Sequence, residues 1–340
     1  MDAGRWHKLR PLLARLVRAG SWTFAAVTFA AAILVQWAGD SSWPMTLLTF
    51  GPRWIALLPL APLAAGAVAL SRRALLPLLL GTCCALGPVM GFCLPWRFVT
   101  ASEPQNALSL RMVTLNVDEG IDLPALIQFL NEVKPDIVAL QEGPYPPALV
   151  AAFRHGWYKV GTGDVFIASR YPIVKRSLSP LGQGRSRAPA IRCDVQTGAG
   201  VIHVNCLHLY TLREGLDRVI KDWWKGAPEL ERVTALRNEE SQLSAGFANA
   251  FDGPAVVLGD FNMTSDSSIF HRDWHDWQDA FSTRGFGLGY TFSTNRIGLR
   301  IDHVLVDKRH WHIRSCRVGP DLHGQHRPVV AELLLLDKTS

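Results

Sequence analysis

The 340-residue sequence contains no internal repeat and no low-complexity tract, which excludes solenoids, propellers and fibrous arrays. Beyond residue 100 it also lacks any surplus of positive charge. Residues 1–100 hold nine Lys/Arg against Asp2 and Asp40, which leaves 26 of the 35 basic and 27 of the 29 acidic residues for the rest, a balance of −1. The overall charge of +6 therefore comes from the N-terminal part, and the remainder has no basic footprint of the kind a sequence-indifferent nucleic-acid binder carries. Cysteine is sparse, six in all. Cys83, Cys84 and Cys93 lie in apolar sequence and read as small packing residues. "RCDV" and "VIHVNCLHL" flank "QTGAG", which predicts a hairpin with Cys193 and Cys206 on one face, open to either a disulfide or two buried thiols. Also missing is a small-x-small cleavage site after the first apolar run, where "QWAGDSS" follows Val35, so a removable signal peptide fits poorly.

What the first hundred residues do contain is apolar length. Ser21–Ala38 carries no charge, and Trp54–Leu70 and Ala74–Trp96 are two further runs of the same kind. Trp22, Trp37, Trp54 and Trp96 stand at their ends, as in an aromatic belt. Pro59, Pro62, Pro77 and Pro88 weaken soluble helices but are tolerated in membrane bundles. Three transmembrane helices are expected. Arg5, Lys8, Arg10, Arg15 and Arg18 precede the first, and Arg72 and Arg73 separate the second from the third, so both stretches are expected to face the cytoplasm. The resulting layout is a multi-pass protein of the plasma (inner) membrane. Residues 1–20 form a basic cytoplasmic terminus, 21–97 the anchor, 98–107 a linker, and 108–340 an extracytoplasmic domain.

That domain is rich in short β-prone runs, among them "SLRMVTLNV", "IVALQE", "VFIAS", "AVVLGDF", "RIDHVLV" and "PVVAELLLL". Helical patterns interrupt them. In "DLPALIQFLNEVK", Leu123, Leu126, Ile127 and Leu130 keep helical spacing, with Asp122 as cap and Pro124 in the first turn. Many strands with few helices predict an α+β fold in layers.

Polar residues gather where these strands end. "VVLGDFNMTSDS" places Asp260 and Asn262 two residues apart, so strand periodicity puts both on one face with Phe261 on the other. A carboxylate and a carboxamide side by side suit proton transfer and oxyanion binding. Asn116 and Asp118 end "TLNVD", Glu142 ends "DIVALQE", His208 lies in "VNCLHLY", Asp302 in "RIDHVLV", and His326 precedes the last strand. Each alone has a structural explanation as a cap, core histidine or ion-pair partner. Together at strand boundaries they point to one site.

In this order, "NVD", "LQE", "LHL", "GDFN", "RIDH" and "HRPV", together with "IASRYPI", resemble the endonuclease/exonuclease/phosphatase (DNase I-like) superfamily over about Ser109–Leu336. The resemblance implies a four-layered α/β/β/α sandwich preceded by the three transmembrane helices, and a metal-dependent hydrolase of phosphoester bonds. It implies Mg²⁺ or Mn²⁺ held by Glu142, with Asn116 and Asp118 in or near its shell, since hard cations take oxygen ligands. Asp260 is then the carboxylate that orients or deprotonates water, Asn262 and His208 are phosphate-oxygen donors, and His326 is oriented by Asp302. One departure stands out: members usually carry aspartate just before the last histidine, where this chain has Gln325. Asp321 and His323 lie close by in "DLHGQH" as compensating candidates.

Three functions follow from the resemblance. The first is hydrolysis of a phosphoester or pyrophosphate of a membrane lipid, the layout of membrane-anchored members associated with glycopeptide resistance. "LREGLDRVIKDWWKGAPEL" then reads either as a lid resting Trp223 and Trp224 on the bilayer or as a helix burying one Trp. The second is a tethered nuclease using Arg185, Arg187, Arg213, Arg296 and Arg300. The third and weakest is a non-catalytic binding module. No obligate protein partner is expected.

Overall fold

The computed structural model describes residues 3–95, 104, 107–118, 120–182, 188–294 and 297–336, without the side chains of residues 3–6 and 8. Trp96, Arg97, most of the 98–107 linker, Arg185, Arg187 and Arg296 fall outside these residues, as do the side chains of Arg5 and Lys8. The chain divides into two units, Met1–Phe92 and Cys93–Ser340.

The first unit contains α1 (Ala3–Ala38), α2 (Trp43–Phe50), α3 (Leu60–Leu70) and α4 (Leu75–Cys84). Three stretches are long and apolar enough to cross a membrane: Leu9–Ala38, Arg53–Leu70 and Arg72–Val89. The first begins earlier than its uncharged run because Arg10, Arg15 and Arg18 continue α1; arginine is a good helix former. The third stops at Val89 rather than Trp96, after a π-helical turn over Ala85–Val89 that contains Pro88. Gly81 lets α1 and α4 approach closely, since a Cβ there would lie 2.6 Å from the Phe24 ring.

The second unit begins with β1 (Leu108–Asn116), α5 (Leu123–Val133), β2 (Ile137–Gln141), α6 (Pro147–Ala152), β3 (Tyr158–Gly161), β4 (Val165–Ser169) and β5 (Ile173–Leu178). It continues with β6 (Ala190–Thr197), β7 (Gly200–His208), α7 (Arg213–Asp222), α8 (Ala227–Asn249), β8 (Ala255–Asp260), α9 (Ser268–Asp273), β9 (Trp277–Asp279) and α10 (Ala280–Arg284). It closes with β10 (Phe292–Ser293), β11 (Gly298–Leu299), β12 (Asp302–Asp307), β13 (Trp311–Val318) and β14 (Val329–Leu335). Local sequence sets several ends. Asp122 accepts the Ala125 N–H at 3.0 Å as the α5 cap, and Lys134 ends that helix in the left-handed region.

Two six-stranded mixed sheets result, ordered β13-β14-β1-β2-β4-β3 and β5-β6-β7-β8-β12-β9. "IASRYPI" is the crossing from one to the other, leaving β4 and entering β5. Their inner faces share one core, where Leu110, Met112, Ile137 and Ile167 of the first meet Ile191, Val204, Leu258 and Val304 of the second. On the outer face of the first sheet, Val113, Leu115 and Val138 pack with Leu126, Phe129 and Leu130 of α5 and Leu149 of α6. On the outside of the second, α8 joins it through Arg192, which donates to the Phe247 carbonyl at 3.1 Å. This is the four-layered α/β/β/α sandwich. The β6–β7 hairpin forms as expected, but Cys193 lies opposite Val204 and Cys206 opposite Ile191. Both remain free thiols, each pushed up to about 12 by burial and so inert.

Candidate active site

Three neighbouring strands of the second sheet bring His208, Asp260 and Asp302 side by side. His208 pairs with Asp260 in the parallel β7–β8 ladder, and Asp302 pairs with Asp260 in the antiparallel β8–β12 ladder. Gly259 makes this approach possible. Its φ is +149°, and a Cβ would lie 2.0 Å from the Leu207 carbonyl oxygen. Opposite them, β1 of the other sheet delivers Asn116, whose Nδ2 donates to Asp260 Oδ2 at 3.0 Å.

Two imidazoles flank that same oxygen. His208 Nε2 and His326 Nε2 each lie 3.9 Å from Asp260 Oδ2, beyond direct hydrogen-bonding length. Each ring is held from behind by a carboxylate. His326 Nδ1 is 2.9 Å from Asp302 Oδ2, and His208 Nδ1 is 3.1 Å from both oxygens of Asp164. Thr291 Oγ1 accepts the N–H groups of Ile301 and Asp302, both at 3.1 Å, which fixes the start of β12. Phe292 packs on the His326 ring with centroids 5.1 Å apart.

Burial sets the electrostatics. Asp260 is raised by desolvation and by the Asp302 charge, against the pull of His326, His208 and Asn116. For His326 burial opposes the charged form, but Asp302, with Asp260 and Asp118 beyond it, holds the pKa up at about 9.

Asn262 does not extend the strand face of Asp260. β8 ends at Asp260, whose Oδ1 accepts the Asn262 N–H at 2.8 Å, closing an Asx turn. Asn262 takes a φ of 49° and donates Nδ2 to the Leu209 carbonyl at 2.9 Å. Buried Arg237 of α8 donates to the Asn262 carbonyl at 2.6 Å and braces the turn. The two side chains are neighbours through a turn, because the carboxylate captures the backbone two residues on.

Asp164 does not stand out in the sequence. It stands one residue before β4, in the turn that leads into the strand. Its signal is the polar "GTGD" turn of residues 161–164 ahead of the buried strand "VFIAS". The remaining predicted residues lie at the margin. Glu142 is exposed with a φ of 70°, just after Gln141, which pairs with Asn116. Asp118 is half-buried, raised by desolvation, and takes the Gln325 N–H at 3.2 and 3.3 Å. Asp321 is not brought in: exposed, it accepts the His323 N–H at 2.8 Å in a local turn.

The sequence pattern of the endonuclease/exonuclease/phosphatase family matches residues 113–326, which includes Asn116, Glu142, His208, Asp260, Asp302 and His326. The chain belongs to this family. Endonuclease/exonuclease/phosphatase members are hydrolases acting on phosphoester bonds, and this chain is one of them. A family protein from Beutenbergia cavernae has a similar structure, with 18% identity, a TM-score of 0.50, and coverage of 67% of this chain and 72% of that one. Also similar is a mannosyl-6-phosphatase from Bacteroides thetaiotaomicron, with 18% identity, a TM-score of 0.49 and coverage of 66% and 99%. An AP endonuclease from Archaeoglobus fulgidus has 19% identity, a TM-score of 0.46 and coverage of 65% and 98%. At such identities the likeness concerns the fold alone. No curated protein sequence matches the chain.

The donor set of this phosphoesterase fits a divalent cation. Carboxylate oxygens of Asp260 and Asp302 lie within 4.8 Å of each other; His326 beside them is held protonated and offers no lone pair. Two further oxygens, Asn116 Oδ1 and Asp302 Oδ1, are buried without a hydrogen-bond partner, a costly arrangement that a cation relieves.

Proposed function

We propose that this chain hydrolyses a phosphoester or pyrophosphate bond of a membrane-lipid-linked phosphate, outside the cytoplasm. The observation that carries the hydrolytic part is the convergence of His208 and His326 Nε2 on one buried Asp260 oxygen, each at 3.9 Å. In this reading Asp260 orients the attacking water and takes its proton; its raised pKa makes it a stronger base than an ordinary carboxylate. His326, kept protonated by Asp302, stabilises charge developing on the phosphoryl oxygens. His208 and the Asn262 amide orient the phosphate. Glu142, Asn116 and Asp118 would hold Mg²⁺ or Mn²⁺; Asp302 Oδ1 is a further buried oxygen without a hydrogen-bond partner. The cation supplies charge neutralisation at phosphorus and its leaving oxygen.

Three features support a lipid substrate. The chain carries three membrane-length apolar helices. Positive charge precedes the first uncharged run and separates the second from the third, which under the positive-inside rule supports a catalytic unit on the outer side of the plasma membrane. At the far end of α7, Ile220, Trp223 and Trp224 are 75%, 63% and 64% exposed, flanked by Lys221 and Lys225. Neither indole is buried in the core, which supports reading this stretch as a lid at the membrane surface. Trp beside Lys is the composition of a membrane–water interface.

The test is phosphate release by the purified full-length protein with Mg²⁺ or Mn²⁺. Polyprenyl pyrophosphate, sphingomyelin-type lipid and plasmid DNA are offered in parallel, with Asp260→Ala and EDTA as controls. Lipid turnover lost in both controls is the expected result. DNA turnover alone would overturn the lipid reading in favour of a tethered nuclease, and its insensitivity to moderate salt would in turn argue against extended backbone contacts. No turnover together with no cation binding would leave a binding module.

A further inference from the structure

We infer that Arg213 and Gln325 form a subsite for a second anionic group, which makes the site selective for a terminal phosphate or pyrophosphate over a simple diester. This rests on the phosphoesterase reading above and names the substrate class of that site.

Arg213 is the first residue of α7, and its guanidinium donates to Gln325 Oε1. Gln325 is itself tied to the site twice. Its N–H donates to both Asp118 oxygens, and its chain neighbour is His326. One amide side chain thus carries an exposed arginine to the rim of the catalytic cluster.

The chemistry of the acceptor decides what that arginine can do. A carboxylate at position 325 would both orient the guanidinium and cancel its charge. An amide oxygen orients it and leaves the charge in place. Four other surface arginines of this unit are answered by carboxylates: Arg232 by Glu229, Arg309 by Asp307, Arg218 by Asp222 and Arg272 by Asp273. Arg213 is hydrogen-bonded by a neutral partner instead, with the Asp118 carboxylate feeling its charge from farther off. A guanidinium has a planar fork of donors that matches phosphate oxygens, so an oriented and uncancelled one is an anion receptor. A diester brings one negative charge, to the cluster itself. A terminal phosphate or pyrophosphate brings more, and the excess needs a cation at the rim.

The experiment measures two ligands on the solubilised full-length chain at fixed free Mg²⁺: inorganic pyrophosphate and dimethyl phosphate, by phosphorus NMR titration. Arg213→Gln is expected to weaken pyrophosphate binding about tenfold or more, with a much smaller loss for the diester. Gln325→Asp, which creates the missing ion pair, should weaken pyrophosphate to a similar degree. The double variant leaves an unpaired carboxylate at position 325 and should bind pyrophosphate more weakly than either single one. Equal losses for the two ligands in Arg213→Gln would overturn the inference, and so would unchanged or tighter pyrophosphate binding in Gln325→Asp. Both residues are exposed, so folding is not at stake. Hydrolysis is scored separately. No ester turnover by the wild-type chain, with the binding pattern intact, would sink the phosphoesterase reading and leave the subsite standing. Turnover with pyrophosphate binding indifferent to Arg213 would sink the subsite alone.

Discussion

The two histidines on either side of Asp260 stand at the same distance from it, yet they are supported by unlike carboxylates. Asp302 has a fully buried side chain, meets His326 through one oxygen at 2.9 Å, and keeps its other oxygen without a partner. The Asp164 side chain is 13% exposed and shares both oxygens with His208 at 3.1 Å. Solvent beside Asp164 screens that pair, whereas no solvent reaches Asp302. The first arrangement fixes a charged ring in one position. The second orients a ring that water can also help to orient. Equal geometry around the reacting centre therefore conceals unequal dependence on the carboxylate behind it.

The largest effect that could break this comparison is on turnover. Asp302→Asn keeps a similar shape but removes the charge that holds His326 protonated and orients its ring. Loss of a positioned, charged group of this kind is expected to lower kcat by about 10²–10⁴. Steady-state rates on a soluble phosphoester, compared with the Asp164→Asn rates under the same conditions, provide the check. Comparable losses in the two variants would make the dyads equivalent and remove the distinction.

A second, smaller effect is on stability against pH, measured in EDTA so that no cation intervenes. The His326 pKa of about 9 lies above the ordinary histidine value near 6.5. Between those values the folded chain binds more protons than the unfolded one, so stability falls as pH rises. The contribution is fully present below about pH 6.5 and lost through about pH 9, up to roughly 3 kcal/mol in all. Thermal unfolding across that range should show the decline in the wild-type chain and a flatter profile in Asp302→Asn. Asp164→Asn should keep the decline. A flat wild-type profile would mean that burial outweighs Asp302 at His326.

The same contrast explains what could be read from the sequence. Asp302 is adjacent to His303 in "RIDH" and opens a strand whose alternation is plain, so its place was legible. Asp260 and Asn262 were legible as a pair, but their relation was not. Strand periodicity put them on one face, while the Asp260 carboxylate captured the Asn262 N–H and turned the chain. Asp164 was illegible because its partner His208 is 44 residues away and joins it only through the packing of the two sheets. The β6–β7 hairpin was clear, but its register was not, and register alone separates Cys193 from Cys206. Apolar runs marked the membrane-length helices. The start of the first drifted because arginine continues a helix as readily as it flanks one, and the end of the third because a π-helical turn with Pro88 closes it early.

The smallest expected effect belongs to Asp164 and sharpens the comparison most. If water shares the work of orienting His208, Asp164→Asn should cost only about tenfold in kcat/KM. Most of that loss should fall in KM, because His208 is placed here as a phosphate donor that acts on bound substrate and transition state alike. The stability change should stay within about 1 kcal/mol, the range for a partly solvated pair. Asp164→Glu keeps the charge and should recover part of the rate if position is what matters. A loss confined to kcat would instead place His208 in proton transfer. The two dyads would then be a matched acid and base around Asp260, and the difference in their burial would fit them to different roles.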